Sequence, residues 1–395
     1  MDCLGCRAKR THLANKQDSE LKYRHCPISY SSRTNHSFNP TSNSEDMTSQ
    51  GQKVLIVGPG FIGWNVLDLL VKENYLVTGF VRRKKHGEQI KASGAADVVI
   101  GDLHDKDLLA EQTAKHDIVF HTATSDDLPS VEAVLDGIQR RADQGLNTIY
   151  IHTSGTSLLD DSANGSRKTD KIYYDDKRSD IDSLSDDSPH RQIDLAILRR
   201  QESLGDKVKI ALMIPPLIYG FNDAHKRLSI QIPTLARFAL KHGYAPYVGE
   251  GLSVWSNVHV KDLGRAYRIL LHHIERTSAE EARENPYYFC EATGDEEPSW
   301  KELAELISDS LHKAGKIEDP KPRTLPKELY GEVFGDEYTE AVVGCNSRSR
   351  AVRLRKLGWE PVEKSWSQSF VEDELPQILT EENTEFKGYA GAVTS

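Results

Sequence analysis

Lys53-Val-Leu-Ile-Val57 runs straight into Gly58-Pro-Gly60-Phe-Ile-Gly63 and then into Trp64 to Glu73. The first run is short, apolar and β-branched in character, as expected for a central parallel strand covered on both faces. Val66, Leu67, Leu69, Leu70 and Val71 give the following segment an apolar helical content, Asn74 stops it, and Tyr75 to Val81 reads as the next strand. A glycine triplet alone is weak evidence. Strand, GxGxxG, helix and strand within about 30 residues is the context that gives it meaning. Gly58 permits the tight turn, Gly60 lets the backbone approach a pyrophosphate, and Gly63 lets helix and strand pack closely. The backbone amides through Phe61 and Ile62 would then lie over the helix N-terminus, where an anion is favoured.

Working outward, the second strand ends in Val81-Arg82-Arg83, where an NAD site would carry Asp or Glu for the ribose 2′-hydroxyl. A guanidinium at Arg82 can pair bidentately with a 2′-phosphate, so NADP(H) is the expected cofactor. The competing reading makes Arg82, Arg83, Lys84 and Lys85 a solvated loop. Further strands are expected at Ala96–Ile100, Asp117–Thr124 and Thr148–His152, with helices at Asp105–Thr113 and Leu128–Gln144. This alternation specifies an α/β fold, a Rossmann-type doubly wound parallel sheet, with its ligand at the carboxyl ends of the strands. Asp102, His121 to Thr124 and Ser154 each follow a strand directly and would gather there.

The 395 residues carry a formal net charge of -10, with 38% hydrophobic and 28% charged residues. Such a balance fits an ordinary soluble protein and excludes a general nucleic-acid binder. No run approaches the length of a membrane-spanning helix. Of the five cysteines, only Cys290 and Cys345 lie in the body of the chain, so a disulfide framework is not expected and a cytoplasmic location is the default. Cys3 and Cys6, with His12 and His25 nearby, have metal-ligand spacing but no second close pair, so no metal site is assigned. Residues 1–50 read as a disordered tail preceding Met47; a transit peptide and a mis-set start are the alternatives. Residues 51–215 are assigned to the NADP-binding core. Residues 216–380 are expected to hold the remaining core elements interleaved with a smaller C-terminal substrate-binding lobe, and 381–395 a flexible tail.

The order of these motifs resembles the extended and atypical short-chain dehydrogenase/reductase superfamily, which includes nucleotide-sugar epimerases and dihydroflavonol-reductase-like enzymes. The resemblance implies that Asp102-Leu103 holds the adenine, that Thr122 and Ala123 line the nicotinamide side, and that Ser154 positions the substrate. It extends to Ile214-Pro-Pro-Leu-Ile-Tyr-Gly220, placing Pro215 at the cofactor, and to Trp255–Asp262. The family's chemistry uses a Tyr and a Lys four residues later on one helix face. Tyr173-Tyr-Asp-Asp-Lys177 has those letters but falls in the acid-rich stretch Asp160–Asp187, either a lid or a solvated loop. The better positional match is Ser188-Pro-His190-Arg-Gln-Ile-Asp194. There Ser188 is expected to cap, Pro189 to start the helix, Leu195 and Leu198 to face inward, and Gly205 to end it.

In that match His190 replaces the Tyr and Asp194 the Lys. His190 titrates near neutrality unaided and could deliver a proton to a carbonyl oxygen, with Asp194 orienting its ring. The other reading makes the pair a structural cap. His259 and Asp262 read as structural, Asp262 capping a helix from Leu263. The leading expectation is NADPH-dependent carbonyl reduction of a small organic molecule by a monomer or homodimer with no nucleic-acid or membrane partner. An epimerase or dehydratase that retains its cofactor, and a catalytically silent NADP sensor, stand beside it.

Overall fold

The computed structural model describes residues 51–293 and 297–381. The readings at Cys3, Cys6, Cys26, His12, His25 and Met47 lie outside the described residues. Seven strands form one sheet: β1 (Lys53–Val57), β2 (Leu76–Val81), β3 (Asp97–Ile100), β4 (Ile118–His121), β5 (Thr148–Thr153), β6 (Val208–Ile214) and β7 (Tyr287–Phe289). Their spatial order is β7-β6-β5-β4-β1-β2-β3, and every neighbouring pair is parallel. From β1 the chain steps outward through β2 and β3, then returns to β4 and steps the other way. The reversal falls between β1 and β4, and a crevice opens there at the carboxyl ends of the strands.

Eight longer helices accompany the sheet: α1 (Gly63–Lys72), α2 (Lys84–Ala92), α3 (Lys106–Thr113), α4 (Leu128–Asp143), α5 (Arg191–Leu204), α6 (Gln231–His242), α7 (Val260–Arg276) and α8 (Trp300–Lys313). Right-handed crossovers put helices on opposite faces when the strand order reverses. Accordingly α1 packs on α7, and α4 packs on α3 and α5. Both faces being covered, Val54 to Val57, Ile118 to Phe120 and Tyr150 to Ile151 are fully buried. That explains why β1 reads as an unbroken apolar run.

β7 comes from the later half of the chain and pairs in parallel with β6 at the edge of the sheet. The second lobe has its own apolar cluster, in which α6 and α8 enclose Phe238, Trp255, Trp300 and Phe370. Glu381, assigned from sequence to the tail, is tied to the fold. Both of its carboxylate oxygens accept from Arg237, at 2.8 and 2.6 Å, because the helical turn Leu375–Thr380 docks beside α6.

Asp160–Asp187 is neither a solvated loop nor a detached flap. Gly165 N donates to Gly344 O at 2.6 Å, Asp161 accepts from the Asn346 amide, and Tyr173–Tyr174 pairs in parallel with Ser349–Arg350. The Asp175 carboxylate is buried and accepts from the amides of Phe289 and Arg353. Of these acids, Asp161 and Asp175 serve as acceptors for backbone amides contributed from later in the chain, at Phe289, Asn346 and Arg353.

α5 begins later than expected. His190 is the N-cap with a left-handed backbone (φ 66°), and Ser188 and Pro189 lie in the preceding turn. The inward face is Ile193, Ile197 and Leu204, with Leu195 and Leu198 only half-buried. Gly205 ends it, as read from sequence. α7 is capped by His259, whose Nδ1 accepts from Lys261 N, while Asp262 accepts from the amides of Val362 and Glu363. The structural reading of that pair holds with the cap moved by three residues. Tyr173 and Lys177 share no helix face: the former lies in a two-residue strand, the latter just outside a short helical turn.

Candidate active site

The glycine loop follows β1 and is fixed on three sides. Gly58 adopts φ +75°, its amide donates to Phe80 O, and a Cβ there would lie 2.5 Å from Ala123. A Cβ at Gly63 would lie 2.3 Å from Thr122 Oγ1. Thr122 Oγ1 itself donates to Gly58 O at 2.8 Å. Thr122 and Ala123 thus brace the loop from β4, the one by hydrogen bond and the other by close packing. Gly60 differs: a Cβ there would meet nothing nearer than Gly58 O at 3.9 Å. Its outer side is open to a phosphate. Among the described residues no acceptor meets the amides of Phe61, Ile62 and Gly63, which point from the start of α1 as an anion site requires. The cradle fits a dinucleotide pyrophosphate.

The other cofactor candidates frame this crevice. Arg82 is exposed at the end of β2. Asp102 and Leu103 form the turn after β3, where the Asp102 carboxylate accepts from His104 N and Leu103 packs on the core. Pro215 follows β6 and its carbonyl accepts from Thr156 N. His121 is fully buried behind the crevice, and burial pulls it down to about 4. It does not line the site.

Ser154 follows β5, is buried, and donates from Oγ to Asp194 Oδ2 at 3.0 Å. Asp194 is fully buried, and desolvation raises its carboxyl to about 6 despite the Ser154 hydrogen bond. It does not orient His190. That role falls to Asp126, whose Oδ1 lies 2.7 Å from His190 Nδ1. The left-handed backbone at His190 turns its ring away from the helix face, so the four-residue spacing to Asp194 never brings the two side chains into a hydrogen bond. An ionised Asp126 can only accept, so Nδ1 carries the proton of that bond and Nε2 faces the crevice. Nε2 stands 3.1 Å from where a Cβ on Gly155 would be. His190 is 12% exposed in its side chain, against 66% for Asp126. A cavity of about 240 Å³, lined by Ser125, Asp126, Leu128, Ser188 and His190 among others, opens beside them.

Asp126 stands two residues beyond Thr124, outside the strand-end residues that the sequence motif marks. It lies in the loop directly after β4, the same carboxyl-end position that singled out the other residues. A larger cavity, of about 580 Å³, lies by Tyr174 and Arg350 and contains none of these groups. Position at the topological reversal favours the smaller one.

A sequence profile for NAD(P)H-binding domains matches residues 58–199, which include the glycine loop, Ser154, His190 and Asp194. Over this segment the chain is similar to NAD(P)H-binding domains. The fold that carries it is shared with solved epimerase and reductase structures. An oxidase of Acremonium sp is 29% identical over 79% of this chain and 93% of its own length. An uncharacterised protein of Saccharomyces cerevisiae is 26% identical over 78% and 94%. Among solved structures, UDP-glucose 4-epimerase from Thermotoga maritima aligns with a TM-score of 0.56 at 16% identity, covering 81% of this chain and 96% of its own. Yeast methylglyoxal/isovaleraldehyde reductase Gre2, complexed with NADPH, aligns with the same TM-score and identity over 83% and 98%.

Proposed function

We propose that this chain is an NADPH-dependent oxidoreductase that reduces a carbonyl group on a small organic molecule. The observation that carries the reading is the Asp126–His190 pair, held in a left-handed turn with Nε2 facing Gly155, next to Ser154 and the glycine cradle. Arg82, standing where a carboxylate would select NAD, favours the phosphorylated cofactor. The NADPH bound by the Gre2 structures from yeast and from Candida albicans, which share this fold, supports the same choice.

The glycine cradle and Arg82 would hold a reduced nicotinamide dinucleotide, which when bound would supply the hydride for the carbonyl carbon. The chain must supply the matching proton to the carbonyl oxygen. Protonated His190 holds it at Nε2, and Asp126 stabilises the imidazolium through Nδ1. Exposed Asp126 also leaves the pair open to reprotonation from solvent. Ser154 positions the oxygen, and its donor is coupled to Asp194. While Asp194 is ionised, the Ser154 hydroxyl is spent on it. Once Asp194 is protonated it can donate to Ser154 Oγ, and the serine proton is released toward substrate.

The test is single-turnover oxidation of NADPH against a panel of ketones and aldehydes, with His190→Ala alongside. The expected result is turnover with at least one carbonyl and a rate loss of about 10²- to 10⁴-fold in the variant at unchanged NADPH affinity. Binding of NADPH without turnover of any carbonyl would reject the reading and leave a cofactor sensor.

A further inference from the structure

The loop Gly220–Ile230, between the short strand Leu217–Tyr219 and α6, is clamped at both ends. At its base the Gly220 amide and the Ser229 hydroxyl donate to the buried Glu374 carboxyl, at 3.0 and 3.2 Å. At its tip Asn222 donates to Asn65, and His225 Nε2 lies 2.7 Å from Asp68 Oδ2. The His225 ring stacks on Trp64, centroids 4.2 Å apart and 15° between planes. Trp64, Asn65 and Asp68 belong to the start of α1, so the loop is fastened directly behind the pyrophosphate cradle.

Arg227 is placed by this clamp with its guanidinium 5.5 Å from the Trp64 ring centroid. His86, from the first turn of α2, meets the same ring at 5.4 Å. Arg83, the N-cap of α2, acts on both. Burial first, then Arg227 and Arg83, pull His86 down to about 4, and burial and Arg83 pull Arg227 below its ordinary value. Arg227 and His86 therefore meet at one indole with the Arg83 guanidinium acting on both, and because His86 is held near 4 it is neutral at pH 7, so the charge there is that of the two arginines. Among the described residues no carboxylate pairs with Arg227. Asp68 is engaged by His225, and Asp223 lies 3.7 Å from Lys226. His86 Nε2 is buried with no partner. Mutual repulsion in a partly desolvated cluster is relieved by a dianion, and the cofactor group that reaches the end of β2 is the adenosine ribose.

We infer that Arg227 is a cofactor-specificity residue that closes over the ribose 2′-phosphate from the loop side, opposite Arg82 and Arg83. This rests on the NADP(H) reading above. It assigns part of the discrimination between NADPH and NADH to a residue some 145 positions beyond Arg82 in sequence. Calorimetric titrations of the full chain and of Arg227→Gln with NADPH, NADH and adenosine 2′,5′-bisphosphate decide it. The variant should lose about 10- to 100-fold in affinity for NADPH and for the bisphosphate, keep its NADH affinity, and regain part of the loss as Arg227→Lys. Unchanged NADH affinity also serves as the control for folding. Equal losses for NADH and NADPH would place the contact at the pyrophosphate, and no loss would leave the phosphate to Arg82; either overturns the inference. Failure of the parent chain to prefer NADPH over NADH would instead overturn the cofactor reading itself.

Discussion

His190 holds a left-handed backbone that costs a non-glycine residue of order 1–3 kcal/mol, a strain retained only where the surroundings fix it. The hydrogen bond to Asp126 is part of that restraint. Asp126→Asn should therefore lower the single-turnover rate by about 10- to 100-fold while leaving NADPH affinity intact, as read by rapid mixing and titration. Asp194 offers a separate test. Its carboxyl is raised to about 6 by burial, above its unfolded value, so the folded state favours the protonated form and loses stability as pH rises through 4 to 6. Asp194→Asn should stabilise the protein by about 1–3 kcal/mol at pH 8 and by much less at pH 4.5 in denaturant titrations. The same substitution gives Ser154 a permanent donor, so the fall in reductive rate above pH 6 should move to higher pH. A fall that stays in place would remove Asp194 from the mechanism and leave it a buried structural acid.

At the scale of elements, the site depends on how β4 supports the turn between β1 and α1. Thr122 is the link, since its Oγ1 donates to Gly58 O and also fills the space beside Gly63 where a Cβ would otherwise lie. Thr122→Val keeps the shape and removes the donor. It should cost about 1–2 kcal/mol of stability and weaken NADPH and NADH binding alike, by several-fold, in parallel titrations. Unequal losses would show that Thr122 touches the cofactor rather than the loop. The strand and helix positions themselves were legible because apolar period and turn residues agree with the fold. The start of α5 was not. A left-handed histidine leaves no mark in the periodicity, so Ser188-Pro189 read as an ordinary helix entrance.

For the whole molecule, two sets of buried titratable groups oppose one another. Burial lowers His121 and His259 to about 4 and His152 well below its ordinary value, so their share of stability is complete above pH 6.5 and is lost as pH falls. Burial raises Asp175 and Glu374 to about 7 and Asp194 to about 6, so their share is complete in acid and is lost as pH rises toward 7. Stability should peak between about pH 6 and 7 in thermal melts across pH. A profile that rises to about pH 7 and then stays level, with no decline between pH 6 and 8, would mean that the three acids are not desolvated.

The sequence by itself determined the β1–glycine loop–α1 unit, the parallel sheet and the carboxyl-end position of Ser154. These follow from local chemistry: strand period, turn glycines and residues that follow a strand directly. Only the tertiary structure decided the partnerships. It gave Asp126 to His190 and Asp194 to Ser154, turned the acid-rich segment into a set of backbone acceptors, and brought Arg227 to the end of β2. Such pairings depend on which loops meet above the sheet, and the strand crossovers that bring them together join residues tens to more than a hundred positions apart.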